Sequence, residues 1–341
     1  MMNNMEKKSI LMLLSTYQKM SGHTRVIDNL SVNLIKQGFN ISIGALKFEK
    51  EPPEGVKKIN LSISNVLSNF QYYDIIHNHQ TKMNFFSLFT KKPFLFQYHG
   101  ASTKLQKLNL LISLFICKKH IKKIICVSKS SIKQLPKFTR SQDLLTIYNG
   151  IDTKFFIPKN KVEHKCDNPQ LLFTGNLFRY KNVQLLIKVI KILRKKFPEI
   201  CLEIIGEGEF KYNLEKIVEK NKLEKNIIFL GRIDNISLKK KYQNTDIYVS
   251  ASTFETFGMP LLEAMSCGTP VAVLNIPAHS ELVKESGGGM CFSNDASNAA
   301  SIILEILQKK KSFGENGRKF AEKLDWMIIA EKYSNLYKQF T

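Results

Sequence analysis

Residues 252–271 of this 341-residue chain, STFETFGMPLLEAMSCGTPV, contain the most informative signals of its fold. The stretch begins with polar residues and turns at Gly258. Pro260 suits the first turn of a helix, where its fixed φ helps and its missing N–H is not needed. The next apolar residues have helical spacing, and Gly268 fits just past the helix end. Residues 271–274 are strand-like, so the stretch is predicted to be a loop, a helix and a strand.

Two carboxylates lie around the start of this predicted helix, Glu255 in the loop and Glu263 in the early turns. The free backbone N–H groups and the dipole of a helix start favour a phosphate, and Gly258 lets the backbone come close to it. Carboxylates accept hydrogen bonds from sugar or ribose hydroxyls. The combination indicates a nucleotide sugar as ligand. The alternative is an ordinary helix with acidic residues near its start.

The same stretch resembles the E-x7-E signature of the retaining glycosyltransferases of the group 1 type, also described as family 4-like. Glu255 and Glu263 stand at the two ends of the signature. The resemblance runs from Ser9 to about Tyr337. It implies the α/β fold called GT-B, in which two Rossmann-like domains face each other across a cleft.

Buried strands alternate with amphipathic helices along the chain, as is typical of doubly wound α/β domains. Strands are predicted at 9–14, 41–45, 59–63, 74–77, 94–98, 124–127, 144–147, 171–174, 202–205, 227–230, 247–250 and 271–274. The main helices are predicted at 24–37, 105–123, 183–196 and from Asp325-Trp326 to Tyr337. Residues 1–158 are expected to form the acceptor-side domain, 159–169 the linker and 170–325 the nucleotide-sugar domain. The resemblance implies that helix 326–341 packs back on the first domain.

The positive charge is concentrated in the first domain. The net charge is +22, and residues 1–158 carry 23 Lys/Arg against 8 Asp/Glu, with no acidic residue between Asp74 and Asp143. This indicates an anionic partner, namely nucleic acid, acidic lipid or a polyanionic substrate; a solvated lysine-rich face is the alternative. In the predicted helix 105–123, packing against the core is favoured over binding to an acidic membrane surface. Its apolar positions are Leu105, Leu108, Leu111, Ile112, Phe115 and Ile116.

Cysteine and histidine spacing gives little sign of a metal. The six cysteines include no C-x-x-C pair, so neither a zinc site nor a disulfide framework is indicated. His77 and His79, at strand spacing, point to one face and could ligate a metal. No third ligand is evident, and a structural or cleft-lining role is favoured. Because the sequence has no D-x-D motif, a metal-independent enzyme without a cofactor is expected.

No apolar run is long enough for a transmembrane helix, and the N-terminal run is too short for a signal peptide. A cytoplasmic protein is therefore expected, with peripheral attachment to the inner membrane face as an option.

The resemblance assigns roles to residues at strand ends. His99 is expected to contact the donor sugar, Glu255 to hold sugar hydroxyls or the phosphate side of the donor, and Lys181 to neutralise the diphosphate. Ser21, Gly22 and His23 would border the acceptor, and Glu263 would hold the ribose. The full substrate-binding set is Gly22, His23, Asn149, Arg179, Gly206, Gly208, Arg232, Thr256, Phe257, Gly258, Met259 and Glu263.

Two positions depart from the family pattern. Asn176 occupies the usual arginine position, so Arg179 is expected to supply the guanidinium, and Asn182 occupies the position of a glycine.

The predicted function is a retaining, metal-independent transfer of a sugar from a nucleotide-diphospho-sugar to a hydroxyl of a glycan or lipid-linked acceptor, in cell-surface polysaccharide biosynthesis. A basic nucleic-acid- or polyanion-binding protein is the first alternative. It would need aromatic residues interleaved with cations and leaves Glu255 and Glu263 unexplained, so no nucleic-acid partner is expected. An inactive glycosyltransferase-like protein is the second alternative, supported by Asn176 and by a loop after the first strand with only Gly22.

Overall fold

The computed structural model describes residues 7–19, 22–62, 64–139, 144–159 and 168–340. The chain divides into two compact units, Met1–Gly150 with Trp326–Thr341, and Ile151–Asp325. The first unit thus ends at Gly150 rather than at the predicted residue 158. The reason is local: the Ile151 N–H donates to the Leu324 carbonyl at 2.9 Å, and Arg318 donates to the Phe156 carbonyl at 2.9 Å. Most of the predicted linker lies outside the described residues.

The first unit contains a parallel sheet of seven strands within the described part of the chain, in the order β3-β2-β1-β4-β5-β6-β7. Residues 10–14 are fully buried, because helices cover both faces of such a sheet. The strands are β1 (Ser9–Tyr17), β2 (Asn40–Phe48), β3 (Lys57–Asn60), β4 (Ile75–Asn78), β5 (Phe94–Tyr98), β6 (Ile121–Cys126) and β7 (Leu144–Thr146). The helices before the second unit are α1 (Gly22–Lys36), α2 (Val66–Phe70), α3 (Lys104–Cys117) and α4 (Lys129–Ile132), with 3-10 turns at Thr81–Phe89 and Lys137–Thr139.

The second unit repeats the pattern with six parallel strands among the described residues, ordered β10-β9-β8-β11-β12-β13. The strands are β8 (Gln170–Thr174), β9 (Cys201–Ile205), β10 (Ile227–Gly231), β11 (Ile247–Ser250), β12 (Val271–Leu274) and β13 (Gly289–Phe292). The helices are α5 (Val183–Leu193), α6 (Lys211–Lys220), α7 (Asn235–Asn244), α8 (Met259–Ser266), α9 (Pro277–Ser286), α10 (Ala296–Gln308) and α11 (Lys310–Glu322), and a 3-10 turn covers Arg179–Lys181.

The last helix, α12 (Trp326–Tyr337), belongs to the first unit, and a 3-10 turn at Lys338–Phe340 follows it. It packs on α1, and the Tyr337 hydroxyl lies 2.7 Å from His77 Nδ1. A Cβ on Gly150 would lie 2.5 Å from the Trp326 ring. Gly150 is therefore needed because an aromatic ring packs directly on its backbone.

Helix α3 differs from its prediction in length and in orientation. It ends at Cys117 and not at the predicted residue 123, since residues 121–123 belong to strand β6, which begins at Ile121. Leu110, Ser113, Leu114 and Cys117 form its buried face. The six apolar residues expected to pack against the core are instead exposed, with Leu105 and Phe115 each at 67%. The core-packing prediction was wrong because the helix carries two apolar stripes, and periodicity does not tell which one the sheet covers.

None of the helices within the described ranges combines the length and the apolar character that crossing a membrane requires.

Candidate functional site

The loop 252–258 and the start of α8 lie at the carboxyl end of β11 in the second unit. Gly258 caps α8 with φ 102° and ψ 57°, a left-handed conformation that favours glycine. Phe257 is buried beside it, while Thr256 and Met259 are half-buried. The structure therefore contains the loop, the helix and the following strand that residues 252–271 predict.

Lys181 and Glu255 form an ion pair at this strand edge. Lys181 Nζ lies 2.5 Å from Glu255 Oε1, and the side chains are only 14% and 21% exposed. The loops that carry them are tied together, since the Thr253 N–H donates to the Tyr180 carbonyl at 2.8 Å. The guanidinium of Arg179 lies instead over the ring of Phe210, 5.7 Å from its centroid. The structure therefore brings Lys181 to the signature loop and gives Arg179 a different contact.

Asn182, at the position where the family has a glycine, has φ 52° and ψ 36°. Asparagine is one of the few residues other than glycine that adopt the left-handed region readily. The backbone conformation needed between Lys181 and α5 is thus available without the glycine. Asn182 takes up the backbone conformation that a glycine would readily supply at this position.

Glu263 is 2% exposed, and its Oε2 accepts a hydrogen bond of 2.8 Å from the Tyr242 hydroxyl. The Tyr242 oxygen also lies 3.0 Å from Thr174 Oγ1. Burial, and next the charge of Glu263, raise the pKa of Tyr242 well above its usual value. Tyr242 is therefore protonated at neutral pH and donates to the carboxylate. These contacts join the end of β8 to α7 and α8, and the expected ribose contact of Glu263 stays a prediction.

Gly206 and Gly208 lie where the loops after β8 and β9 touch. A Cβ on Gly206 would be 1.9 Å from the Gly175 carbonyl oxygen, and one on Gly208 would be 2.5 Å from that of Leu177. The Gly206 N–H also donates to the Gly231 carbonyl at 2.8 Å. Loop packing thus requires both glycines, independently of the nucleotide contact predicted for them.

His279 was not predicted to belong to a site. Its Nδ1 lies 2.9 Å from the Leu274 carbonyl, so Nδ1 carries the proton. Its Nε2 is buried and has no partner among the described residues. Burial lowers the pKa of His279. The negative charge of Glu255 opposes this shift, and the positive charge of Lys181 adds to it. The available sequence signal was its position just after β12, at the strand edge where β11 delivers Glu255.

The first unit has a histidine cluster at the ends of β4 and β5. One ring nitrogen from each of His23, His79 and His99 lies within 4.8 Å of the others. The rings of His77 and His79 are 4.2 Å apart, in keeping with the predicted shared face. Sequence spacing identified this pair but not the cluster, because His23 comes from α1 and His99 from the residue after β5.

All four of these imidazoles are neutral at pH 7. Burial lowers the pKa of His23 to about 4 and that of His77 to about 3. It also lowers the pKa values of His79 and His99 well below their usual range, and neighbouring histidines lower them further. Each ring therefore presents one N–H and one lone pair.

Family models match both units. The model described as "Glycosyltransferase Family 4" matches residues 20–155, and "Glycosyl transferases group 1" matches residues 156–320. The chain belongs to the group 1 glycosyltransferases. The resemblance noted in the E-x7-E stretch is thereby confirmed.

Curated relatives of this glycosyltransferase are distant. An uncharacterised glycosyltransferase of Haemophilus influenzae is 24% identical over 86% of this chain and 92% of its own length. One from Methanocaldococcus jannaschii is 29% identical over 63% of this chain, and the match spans 59% of that protein's length.

Solved structures show the fold of this glycosyltransferase. Sucrose-phosphate synthase from Thermosynechococcus elongatus superposes with a TM-score of 0.82 at 19% identity, over 98% of this chain and 99% of its own. Anabaena HepE, solved with UDP and glucose, gives 0.80 at 17% identity, over 96% and 99% of the two chains. Both units are Rossmann-like, and the GT-B fold is confirmed.

The remaining predicted site residues of the glycosyltransferase differ in how exposed they are. Gly22 is exposed at the start of α1, and Arg232 is exposed after β10. Asn149 is buried beside Gly150, and its Oδ1 has no partner in the described part of the chain. Ser21 lies outside the described residues.

Proposed function

We propose that this glycosyltransferase moves a sugar from a nucleotide-diphospho-sugar to a hydroxyl of a glycan or lipid-linked acceptor, with retention of configuration and without a metal at the diphosphate. The observation that carries the proposal is the Lys181–Glu255 ion pair beside the start of α8. The start of α8 carries the positive end of a helix dipole, which favours phosphate.

The ion pair has a direct use in this scheme. A bound diphosphate competes with Glu255 for the Lys181 ammonium, because charge-assisted hydrogen bonds to phosphate are strong. Glu255 is then free to accept hydrogen bonds from sugar hydroxyls. Lys181 and the positive end of the α8 dipole stabilise the negative charge that develops on the leaving diphosphate, the role a metal has in other transferases. HepE, which was solved with UDP and glucose, supports a uridine nucleotide as the first donor to test.

We infer a front-face route for retention, in which the leaving phosphate helps to deprotonate the acceptor hydroxyl. A double displacement would need a carboxylate nucleophile on the opposite face of the sugar. The first-unit segments 19–24 and 98–103, which match the family's loops at that position, contain no Asp or Glu. Trapping a covalent glycosyl-enzyme intermediate would overturn this route.

The test of the donor site is thermal unfolding with UDP, GDP, ADP and CMP in the presence of EDTA. We expect one nucleotide to raise the unfolding temperature of the wild type, and the rise to disappear in Lys181→Ala. Lys310→Ala is the matched control, since Lys310 pairs with Asp246 at 3.1 Å in the same unit, just before β11 rather than after it. No shift with any nucleotide, together with salt-sensitive oligonucleotide binding, would favour a polyanion-binding protein.

We further propose that the first unit docks on an anionic lipid surface through α3, which places the enzyme at a membrane where lipid-linked acceptors for cell-surface polysaccharides occur. The exposed stripe of α3 carries Leu105, Leu108, Leu111, Ile112, Phe115 and Ile116. Exposed Lys104, Lys107 and Lys119 accompany it. An apolar face rimmed by lysines, in a segment without acidic residues, suits an interface of acidic headgroups and acyl chains.

Sedimentation with lipid vesicles tests this docking. We expect binding to vesicles that contain phosphatidylglycerol, weaker binding to phosphatidylcholine alone, and loss of binding in the double variant Leu111→Glu, Phe115→Glu. Ile236→Glu is the control, because Ile236 is 59% exposed on α7 of the second unit. Equal binding by the double variant would contradict the proposal. A stable dimer of wild type that the double variant abolishes, without vesicle binding, would assign the stripe to a second copy instead.

A further inference from the structure

We propose that His23, His79 and His99 of the first unit form a binding site for a divalent cation of the zinc class. All three residues belong to the first unit, and the test of the site needs no nucleotide or sugar. The inference rests on the placement of three ring nitrogens and on the hydrogen bonds that orient two of the rings.

The distances suit tetrahedral coordination. His79 Nδ1 and His99 Nε2 are 3.2 Å apart. Two imidazole nitrogens on one zinc ion, each at about 2.0–2.1 Å, are about 3.3 Å apart by tetrahedral geometry. The His23 ring lies against that of His99, with centroids 4.0 Å apart. One nitrogen of each ring is within 4.8 Å of the others, so small ring rotations complete a three-histidine set.

Hydrogen bonds leave the required lone pairs free on two of the rings. His23 makes a hydrogen bond to the backbone of His79, while its Nε2 has no partner in the described chain. The bond is therefore made by Nδ1–H, and the buried Nε2 keeps its lone pair. His79 Nε2 lies 3.2 Å from Met12 Sδ, a weak acceptor, so Nε2 carries the proton and the lone pair is on Nδ1. Backbone partners of this kind orient metal-bound histidines.

The charge state is also suitable. The lowered pKa values of all three histidines keep them neutral at pH 7, and a metal binds neutral imidazole. His99 must carry its proton on Nδ1 when Nε2 faces the cation, which is a change of tautomer without net release of a proton.

The cation would join three separate segments of the first unit. His23 is in the first turn of α1, His79 follows β4 and His99 follows β5. Three histidines leave a fourth position for water or an oxygen ligand, as in zinc sites with an open coordination position.

The experiment is a titration of the full chain, without a polyhistidine tag, with Co²⁺ at pH 7.5, followed by displacement with Zn²⁺. We expect one cobalt ion for each chain, visible absorption bands of a four-coordinate ion, and their loss when one equivalent of zinc is added. His23→Gln and His99→Gln should each weaken binding by at least about 100-fold, beyond the 10–100-fold typical of outer-sphere changes.

His120→Gln is the matched control, because His120 is exposed in the same unit; its affinity should equal that of the wild type. Far-ultraviolet circular dichroism of each variant separates loss of the site from loss of the fold. Absence of four-coordinate bands in the wild type, or unchanged cobalt affinity in folded His23→Gln and His99→Gln, would overturn the proposal.

Discussion

The two units carry different chemistry at the carboxyl ends of similar parallel sheets. In the second unit, Lys181 and Glu255 keep opposite charges in a mostly buried pair. In the first unit, His79 is buried, His23 and His99 are half-buried, and all three are neutral at pH 7. The Lys181 ammonium can exchange its carboxylate partner for an anionic ligand and keep a counter-charge, while the carboxylate of Glu255 can accept hydrogen bonds from hydroxyl groups instead. Neutral imidazoles offer lone pairs to a cation or to hydroxyl groups. Two sheets of the same architecture therefore present different sets of side chains at their carboxyl ends, and the difference lies in the residues at the strand ends.

Among the substitutions that test this comparison, Lys181→Ala is expected to have the largest effect, a loss of sugar-transfer rate. We expect kcat to fall about 10²–10³-fold, the usual consequence of removing one group that stabilises charge developing in the transition state. The measurement is nucleotide release from the donor that the nucleotide panel identifies. Lys181→Arg should recover part of the rate, because it keeps the charge. An unchanged kcat in Lys181→Ala would assign the ion pair a purely structural role.

The histidine cluster should make the first unit sensitive to acid. An unfolded histidine has a pKa of about 6.5, while His23 in the fold has a pKa of about 4. Between these values the unfolded chain binds a proton that the folded chain does not. The contribution of neutral His23 to the free energy of unfolding is therefore fully present above pH 6.5. It is lost as the pH falls toward 4, and the loss is at most about 3 kcal/mol.

Denaturant unfolding at pH 7 and pH 4.5 measures this loss. The fluorescence of Trp326, the single tryptophan, reports on the first unit. His23→Gln should lose less stability between the two pH values than the wild type does, whereas His120→Gln should lose as much as the wild type. Equal losses in all three proteins would show that His23 does not gain its neutral state from folding.

A moderate effect is expected from Tyr242→Phe in the second unit. The change removes a donor from the buried carboxylate of Glu263, and leaving a buried polar group short of a partner costs about 1–3 kcal/mol. Calorimetry of the second-unit transition measures it. If Glu263 also binds ribose, nucleotide affinity should fall together with stability. Loss of stability alone would limit Glu263 to the structural role.

The smallest effect is expected from Lys310→Ala. This ion pair with Asp246 is partly exposed and lies just before β11, away from the strand edge that carries Glu255. Such pairs contribute about 1 kcal/mol or less, and transfer should be unchanged. A loss of transfer comparable to that in Lys181→Ala would show that charge removal anywhere in the second unit is harmful, and would weaken the case for a site at Lys181.

The loop, helix and strands around Glu255 in the second unit could be predicted because their signals are local. One continuous stretch contains Glu255, Gly258 and Glu263, and the predicted strands 247–250 and 271–274 coincide with β11 and β12. The histidine cluster could not be predicted in the same way, because the topology of the sheet, rather than sequence spacing, brings α1, β4 and β5 together. The pairing of Glu263 with Tyr242 is likewise a tertiary contact, since nothing in the sequence selects that tyrosine.

The helix α3 shows a different limit. Its two apolar stripes have the same helical period, so the sequence predicts a helix here but not which of its faces is buried. Which stripe is buried depends on where the sheet and the 3-10 turn Thr81–Phe89 lie, and that information is not local.

The position of α12 has a consequence for the order in which the units form during synthesis. The second unit is one continuous segment, 151–325, whereas the first is completed by residues that follow it. Tyr337 reaches His77 and Trp326 covers Gly150 only after those residues have left the ribosome. Domains fold as units while the chain emerges. The N-terminal unit, although translated first, is therefore completed last, when the C-terminal helix α12 has been made.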